Sequence, residues 1–166
     1  MQKIYIAGPD VFEPDSIEIG KKYSKLCGEY GFVGMYPLDN SIDFDQPKQK
    51  VAHDIFKANE ELIKKADIVI ANINAFRGKE ADSGTVWECG YAYGLGKKVY
   101  GYMNKKLSYI EHFSDKEKRL KGAVTVDTDG KMIEDFDYPV NLMIACSVIE
   151  IVEGGFEDVL KKISTL

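Results

Sequence analysis

The sequence predicts an α/β fold: a parallel sheet of about five strands in the order 2-1-3-4-5, with helices on both faces. Two observations carry this. Short apolar runs at Ile4–Ala7, 67–73 and 99–103 alternate with longer stretches of helical period, the pattern of a sheet built through crossover helices. Acids and small residues gather just after the first and third runs, where open α/β sheets hold ligands. The 166 residues fit one domain, spanning 1–166, large enough to bury a core without a disulfide or metal staple.

In chain order, Ile4–Ala7 reads as a buried first strand stopped by Gly8-Pro9, with a loop through Pro14. Asp15 or Ser16 can cap a helix running to about Tyr30, with Ile17, Tyr23, Leu26 and Cys27 near a 3.6 period. Residues 32–36 form a second strand closed by Pro37, and 38–48 is a polar loop. A helix from about Gln49 to Lys65 places Val51, Ile55, Ala58, Leu62 and Ile63 on one face. Residues 67–73 are the clearest strand, followed by a loop through Ala81, a helix over 83–95 and a fourth strand at 99–103. The segment 104–137 is charged and irregular, suited to a lid, a partner surface or a partly mobile insert, with a turn at Asp127–Gly130. Pro139 predicts a helix begun by proline in its first turn. Residues 148–152 either extend that helix or form a fifth strand, and 156–163 is a terminal helix. The loops at 8–14 and 74–82 then flank one crevice.

A net charge of −5 and a pI near 5.1 argue against nucleic acid or a membrane surface as the main partner. Cys27, Cys89 and Cys146 are odd in number and lack ligand spacing, as expected for free thiols in a reducing compartment. The N-terminal apolar run is too short for a signal peptide, and no run reaches the ~20 residues of a membrane span. A cytoplasmic protein is the expectation. His53 and His112 stand far apart without a ligand partner at helical spacing, so no metal set is predicted. Gly94-Leu-Gly96 ends a helix rather than opening one, so it is no dinucleotide fingerprint.

The carboxylates Asp82 and Glu88 bracket a Ser-Gly-Thr turn at a helix start. A helix N-terminus favours negative charge, by ~0.3–1 kcal/mol at exposed sites. One carboxylate there can attack an anomeric carbon or steady an oxocarbenium-like centre, and another can hand a proton to a leaving group. Asp82 is equally consistent with a plain N-cap, and Glu88 with a solvated helix residue. Gly84 tilts the reading toward a site, because backbone without a Cβ can approach a ligand closely. Tyr5 fits core packing or a hydroxyl aimed at the crevice, Phe12 a stacking platform or a core cover, and Arg77 a partner for an acidic substrate or a bare loop cation.

Taken together, 4–12 (IYIAGPDVF), 36–40 (YPLDN), 66–67, 82–92 (DSGTVWECGYA) and 140–143 (VNLM) resemble the nucleoside 2-deoxyribosyltransferase family. The resemblance spans most of the chain in family order. It implies a flavodoxin-like fold, nucleoside and nucleobase substrates, and no cofactor. Glu88 would carry a covalent 2-deoxyribosyl ester, oriented by Tyr5, while Asp82 would bind the sugar hydroxyls. Gly8, Asp10, Phe12, Asn59 and Gly84 would line the substrate site. Asn141 and Met143 would complete the site of a neighbouring subunit in a homo-oligomer. Two positions depart from the family pattern: Ser41 stands where a glutamine is usual, and Asn59 where an aspartate helps hold or protonate the base. An amide cannot serve as a general acid, so the base is protonated by another group, for which Asp10 is the candidate, or by water, or the base preference differs. The runner-up activity is hydrolysis of a nucleoside or 2′-deoxynucleotide N-glycoside, for which Arg77, Ser83 and Thr85 are the hints of a phosphate set. A third reading, of another class, is a non-catalytic nucleotide-binding module.

Overall fold

Residues 1–165 are described by the structure, a computed structural model. Five parallel strands form its sheet: β1 (Lys3–Ala7), β2 (Val33–Met35), β3 (Ile68–Asn72), β4 (Lys98–Met103) and β7 (Glu150–Glu153). Their order is β2-β1-β3-β4-β7, so the predicted 2-1-3-4-5 topology holds with β7 as the fifth sheet strand. The stretch 148–152 thus resolves toward strand, through pairing of Tyr100–Met103 with Glu150–Glu153.

Alternation along each strand divides the core. Ile4, Ile6, Ile68, Ile70, Tyr100 and Tyr102 face one layer, formed by α1 (Ser16–Glu29) and α5 (Phe156–Ile163). Tyr5, Ala7, Val69, Ala71 and Val99 face the other, formed by α2 (Lys48–Lys65), α3 (Ser83–Gly94) and α4 (Leu142–Ala145). Because side chains alternate with period two, Tyr5 points to the α3 side while its neighbours do not. α5 shows the packing at its plainest. Phe156, Val159, Leu160 and Ile163 are buried at helical spacing while Lys161 and Lys162 close its last turn. Each such side chain contributes about 1.5–3 kcal/mol of burial.

Two expectations need correction, and a third holds in position only. Segment 104–137 is not irregular throughout. It folds into an antiparallel hairpin of β5 (Lys118–Lys121) and β6 (Val124–Asp127), seated on buried Val126 and Ile133. The short helix α4 does not begin with Pro139. Asn141 caps it, accepting from the Met143 amide at 3.0 Å, and Glu134 accepts from the Leu142 amide at 2.9 Å. Asp15 occupies the N-cap of α1 without a side-chain cap bond.

The hairpin segment is docked. Tyr109 donates to Glu80, Lys79 pairs with Glu117 at 3.0 Å, and Asn141 donates to Glu134 at 2.6 Å. These contacts tie it to the β3–α3 loop and to the start of α4.

Candidate active site

The carboxyl ends of β1 and β3 carry the loops that open the main cleft, and α3 starts beside them. Asp82 is the N-cap of α3; its Oδ2 accepts from the Thr85 amide at 2.9 Å and from the Thr85 hydroxyl at 3.0 Å. Thr85 is 1 % exposed, which holds this cap in one geometry. A side chain at Gly84 would set its Cβ 3.1 Å from Asp82 Oδ2, so the glycine keeps that carboxylate accessible.

Glu88 lies one turn beyond Thr85 on the same face of α3. The fully buried Tyr5 hydroxyl donates to Glu88 Oε1 at 2.5 Å. Burial pushes the Glu88 carboxyl up to about 7 and the Asp82 charge adds to the rise, while the Tyr5 hydrogen bond opposes it. Tyr5 itself is raised well above the ordinary phenol range by burial and by Glu88, so it remains a donor. Near neutral pH this arrangement holds an oriented carboxyl group, partly ionised, in a poorly solvated place. Such a group can act as a nucleophile or as an acid.

The cleft has a volume of about 520 Å³, within the range of small-molecule sites. Glu88, Asp82, Thr85, Gly84, Gly8, Phe12 and Asn59 all line it, so the structure brings together most of the residues the sequence singled out. Asn59 is carried by α2, and Asn59 Oδ1 is buried without a hydrogen-bond partner among the described residues. α2 meets α3 through Phe56 and Trp87, whose rings lie 5.3 Å apart, and Trp87 is itself stacked on Tyr91 of the same helix at 5.0 Å. The Tyr91 hydroxyl also donates to Glu60 at 3.1 Å.

Asp10 stands differently. Its Oδ2 accepts from Asn72 at 2.9 Å and its Oδ1 from the Tyr23 hydroxyl at 3.3 Å, and it is absent from the cleft lining. Asn72 accepts in turn from Asn74, and Asn74 from the Asn104 amide. Asp10 therefore heads a polar chain across the ends of β1, β3 and β4. Gly8 permits it: a Cβ there would lie 2.6 Å from Asp10 Oδ2 and 2.8 Å from Asn72 Cβ.

Asn141 and Met143 do not reach this cleft within one chain. They line a second one of about 600 Å³ on the other side of α3, with Ser83, Val86, Gly90 and Tyr93. Ser41 lines neither. The sequence reading missed the apolar wall of the main cleft, made by Ile17, Leu38, Ile42, Phe44 and Ile55. The available signal was Ile42 and Phe44 standing apolar within a polar loop.

Cys27 and Cys89 are free, buried and pushed up to about 12 by that burial, so neither is a ready thiolate. Among the described residues no three His, Cys, Asp or Glu side chains converge as metal ligands, and no helix is long and apolar enough to cross a membrane.

The family described as nucleoside 2-deoxyribosyltransferase matches residues 4–143. A 2-desoxiribosyltransferase from Leishmania mexicana is 28% identical with a TM-score of 0.79, covering 99% of this chain and 98% of that one. A 2-deoxyribosyltransferase from Bacillus psychrosaccharolyticus is 25% identical with a TM-score of 0.59, covering 95% and 90%. An uncharacterized Schizosaccharomyces pombe protein is 28% identical over 142 residues, 81% of this chain and 67% of that one.

Proposed function

The chain belongs to the nucleoside 2-deoxyribosyltransferase family, and we propose that it exchanges the base of a 2′-deoxynucleoside through a covalent ester on Glu88, as a nucleoside-salvage enzyme. The observation that carries this reading is the Tyr5–Glu88 pair at 2.5 Å, beside Asp82, in a cleft of nucleoside size. Tyr5 occupies Oε1, which leaves Oε2 to attack C1′. As that bond forms, the C1′–N bond breaks and its electron pair leaves with the base. The incoming base then displaces Glu88 from C1′, and two displacements give net retention. Asp82 accepts from the sugar hydroxyls. Asn59, whose Oδ1 is buried without a partner among the described residues, and Asn40, which also lines the cleft, read the base edge as amides, which bind without giving up a proton, so the departing base takes its proton from solvent.

In the same reading the chain works as a homo-oligomer, with Asn141 and Met143 reaching a neighbouring site. Met143 is 73% exposed and lines the second cleft, as a residue offered to another copy would be.

The test is incubation of a 2′-deoxynucleoside with a different free base, scored by mass. Base exchange, with a 2-deoxyribosyl adduct trapped on Glu88, is the expected result. Release of deoxyribose without exchange would make the chain a hydrolase. Tight binding with neither product would make it a binding module.

A further inference from the structure

We infer that Arg77 is a positioning residue of this site: it clasps the loop after β1 to the loop after β3 through the rings of Phe12 and Phe76, and so fixes Phe12 at the wall of the cleft. The inference rests on the cleft being the nucleoside site proposed above.

Phe12 lines the cleft yet is 56% exposed, so its own burial does not hold the ring in place. Two contacts do. The Phe12 and Phe76 rings stack at 5.5 Å with an interplanar angle of 13°. The Arg77 guanidinium lies 5.1 Å from the Phe12 centroid and 4.7 Å from that of Phe76, within cation–π range of both. Among the described residues Arg77 forms no ion pair, so the rings are its partners.

The backbone adds an independent observation. Arg77 has φ +50, in the left-handed region that a side chain disfavours. The turn around it is closed by the Ala75–Ala81 bridge and by the Phe76 amide donating to Glu80 at 2.8 Å. Glycine would suit position 77 better, and what an arginine adds there is its cation. Strained backbone of this kind persists where the surroundings fix it, often beside functional sites.

The clasp acts through Phe12, not on the reacting atoms. Its loss should therefore weaken ground-state and transition-state binding alike, raising KM with kcat nearly unchanged. Arg77→Gly is the informative variant, because glycine accepts the φ of that position and the fold should survive. Expected are a KM for the deoxynucleoside raised by about fivefold, the scale of one cation–π contact, and a kcat within about twofold of the parent. Phe76→Ala should act similarly, and the double variant should be no worse than the larger single one, since both break the same clasp.

Amide hydrogen exchange over residues 10–13 gives a readout that needs no turnover, so it tests the clasp even if the proposed reaction fails. It should quicken by about fivefold in Arg77→Gly. Unchanged exchange there, or a fall in kcat at unchanged KM, would overturn the inference.

Discussion

Two clefts flank helix α3, and size does not separate them, at about 520 and 600 Å³. Their chemistry does. On one side Asp82, Thr85 and Glu88 present two carboxyl groups, one buried enough to titrate near 7. On the other, Glu80 is engaged by Tyr109 and Asn141 by Glu134, between exposed Tyr93 and Met143. One helix thus separates a side suited to reaction from a side suited to contact. Reactivity follows from a carboxyl group being both desolvated and oriented, which the second cleft does not offer.

The sharpest way to break the comparison is to remove Glu88. Glu88→Ala should lower base exchange by on the order of 10⁴-fold or more and abolish the adduct, as loss of a nucleophile does. Glu88→Gln should lose the same activity while gaining stability. Folding raises this group from its ordinary 4.5 to about 7. The stability its protonation gives is fully present below about 4.5 and is lost as pH rises through 7. The melting-temperature advantage of the glutamine variant should therefore grow from pH 5 to pH 8, toward an upper bound of about 3 kcal/mol. A constant offset would mean that burial does not govern the group.

The second cleft is tested by Asn141→Ala. As a helix cap alone, Asn141 is worth about 1 kcal/mol of stability, and turnover would be untouched. If it completes a neighbour's site, turnover should fall by roughly 100-fold, the loss of a buried polar contact to substrate. Mixing and refolding Glu88→Ala with Asn141→Ala protein should then restore activity, because one site in the mixed assembly carries both native groups. No restoration would confine each cleft to its own chain.

Tyr5→Phe probes what orients the nucleophile. A hydrogen bond to a charged group is worth about 1.5–3 kcal/mol, so turnover at pH 7 should fall roughly 10- to 100-fold. The lost bond is the one that holds the Glu88 pKa down against burial and Asp82. The acid limb of the pH–rate profile should therefore move upward from about 7, and the deficit should shrink toward pH 9. A uniform deficit at all pH values would leave Tyr5 a packing residue.

Much of this arrangement was legible because it rests on local pattern. Continuous apolar runs along Ile4–Ala7 and 67–73 marked the strands, and a capping acid before Ser83 marked the start of α3. The pairing of Tyr5 with Glu88 across 83 residues came from resemblance, since no periodicity specifies a contact at that separation. The hairpin at 118–127 was hidden because β5 reads Lys-Arg-Leu-Lys with Leu120 78% exposed, so it shows no buried face. α4 was misplaced because its boundary depends on Glu134 and the Asn141 cap, a tertiary contact rather than a proline signal.

The smallest expected effect concerns Asp10, and it separates two roles for one carboxylate. Its oxygens accept from Asn72 at 2.9 Å and Tyr23 at 3.3 Å. Asp10→Asn keeps the shape but sets an amide nitrogen or a single acceptor against the Asn72 amide, so one bond is lost. A tether weakened in this way should raise KM by about threefold and leave kcat within about the same factor. A general acid replaced by an amide would instead lose kcat by about 10²-fold or more, most for bases that leave poorly. Measuring kcat across bases of graded leaving ability decides between them. A parallel, uniform response places Asp10 in the scaffold of the first loop, and a steep selective one places it in the chemistry.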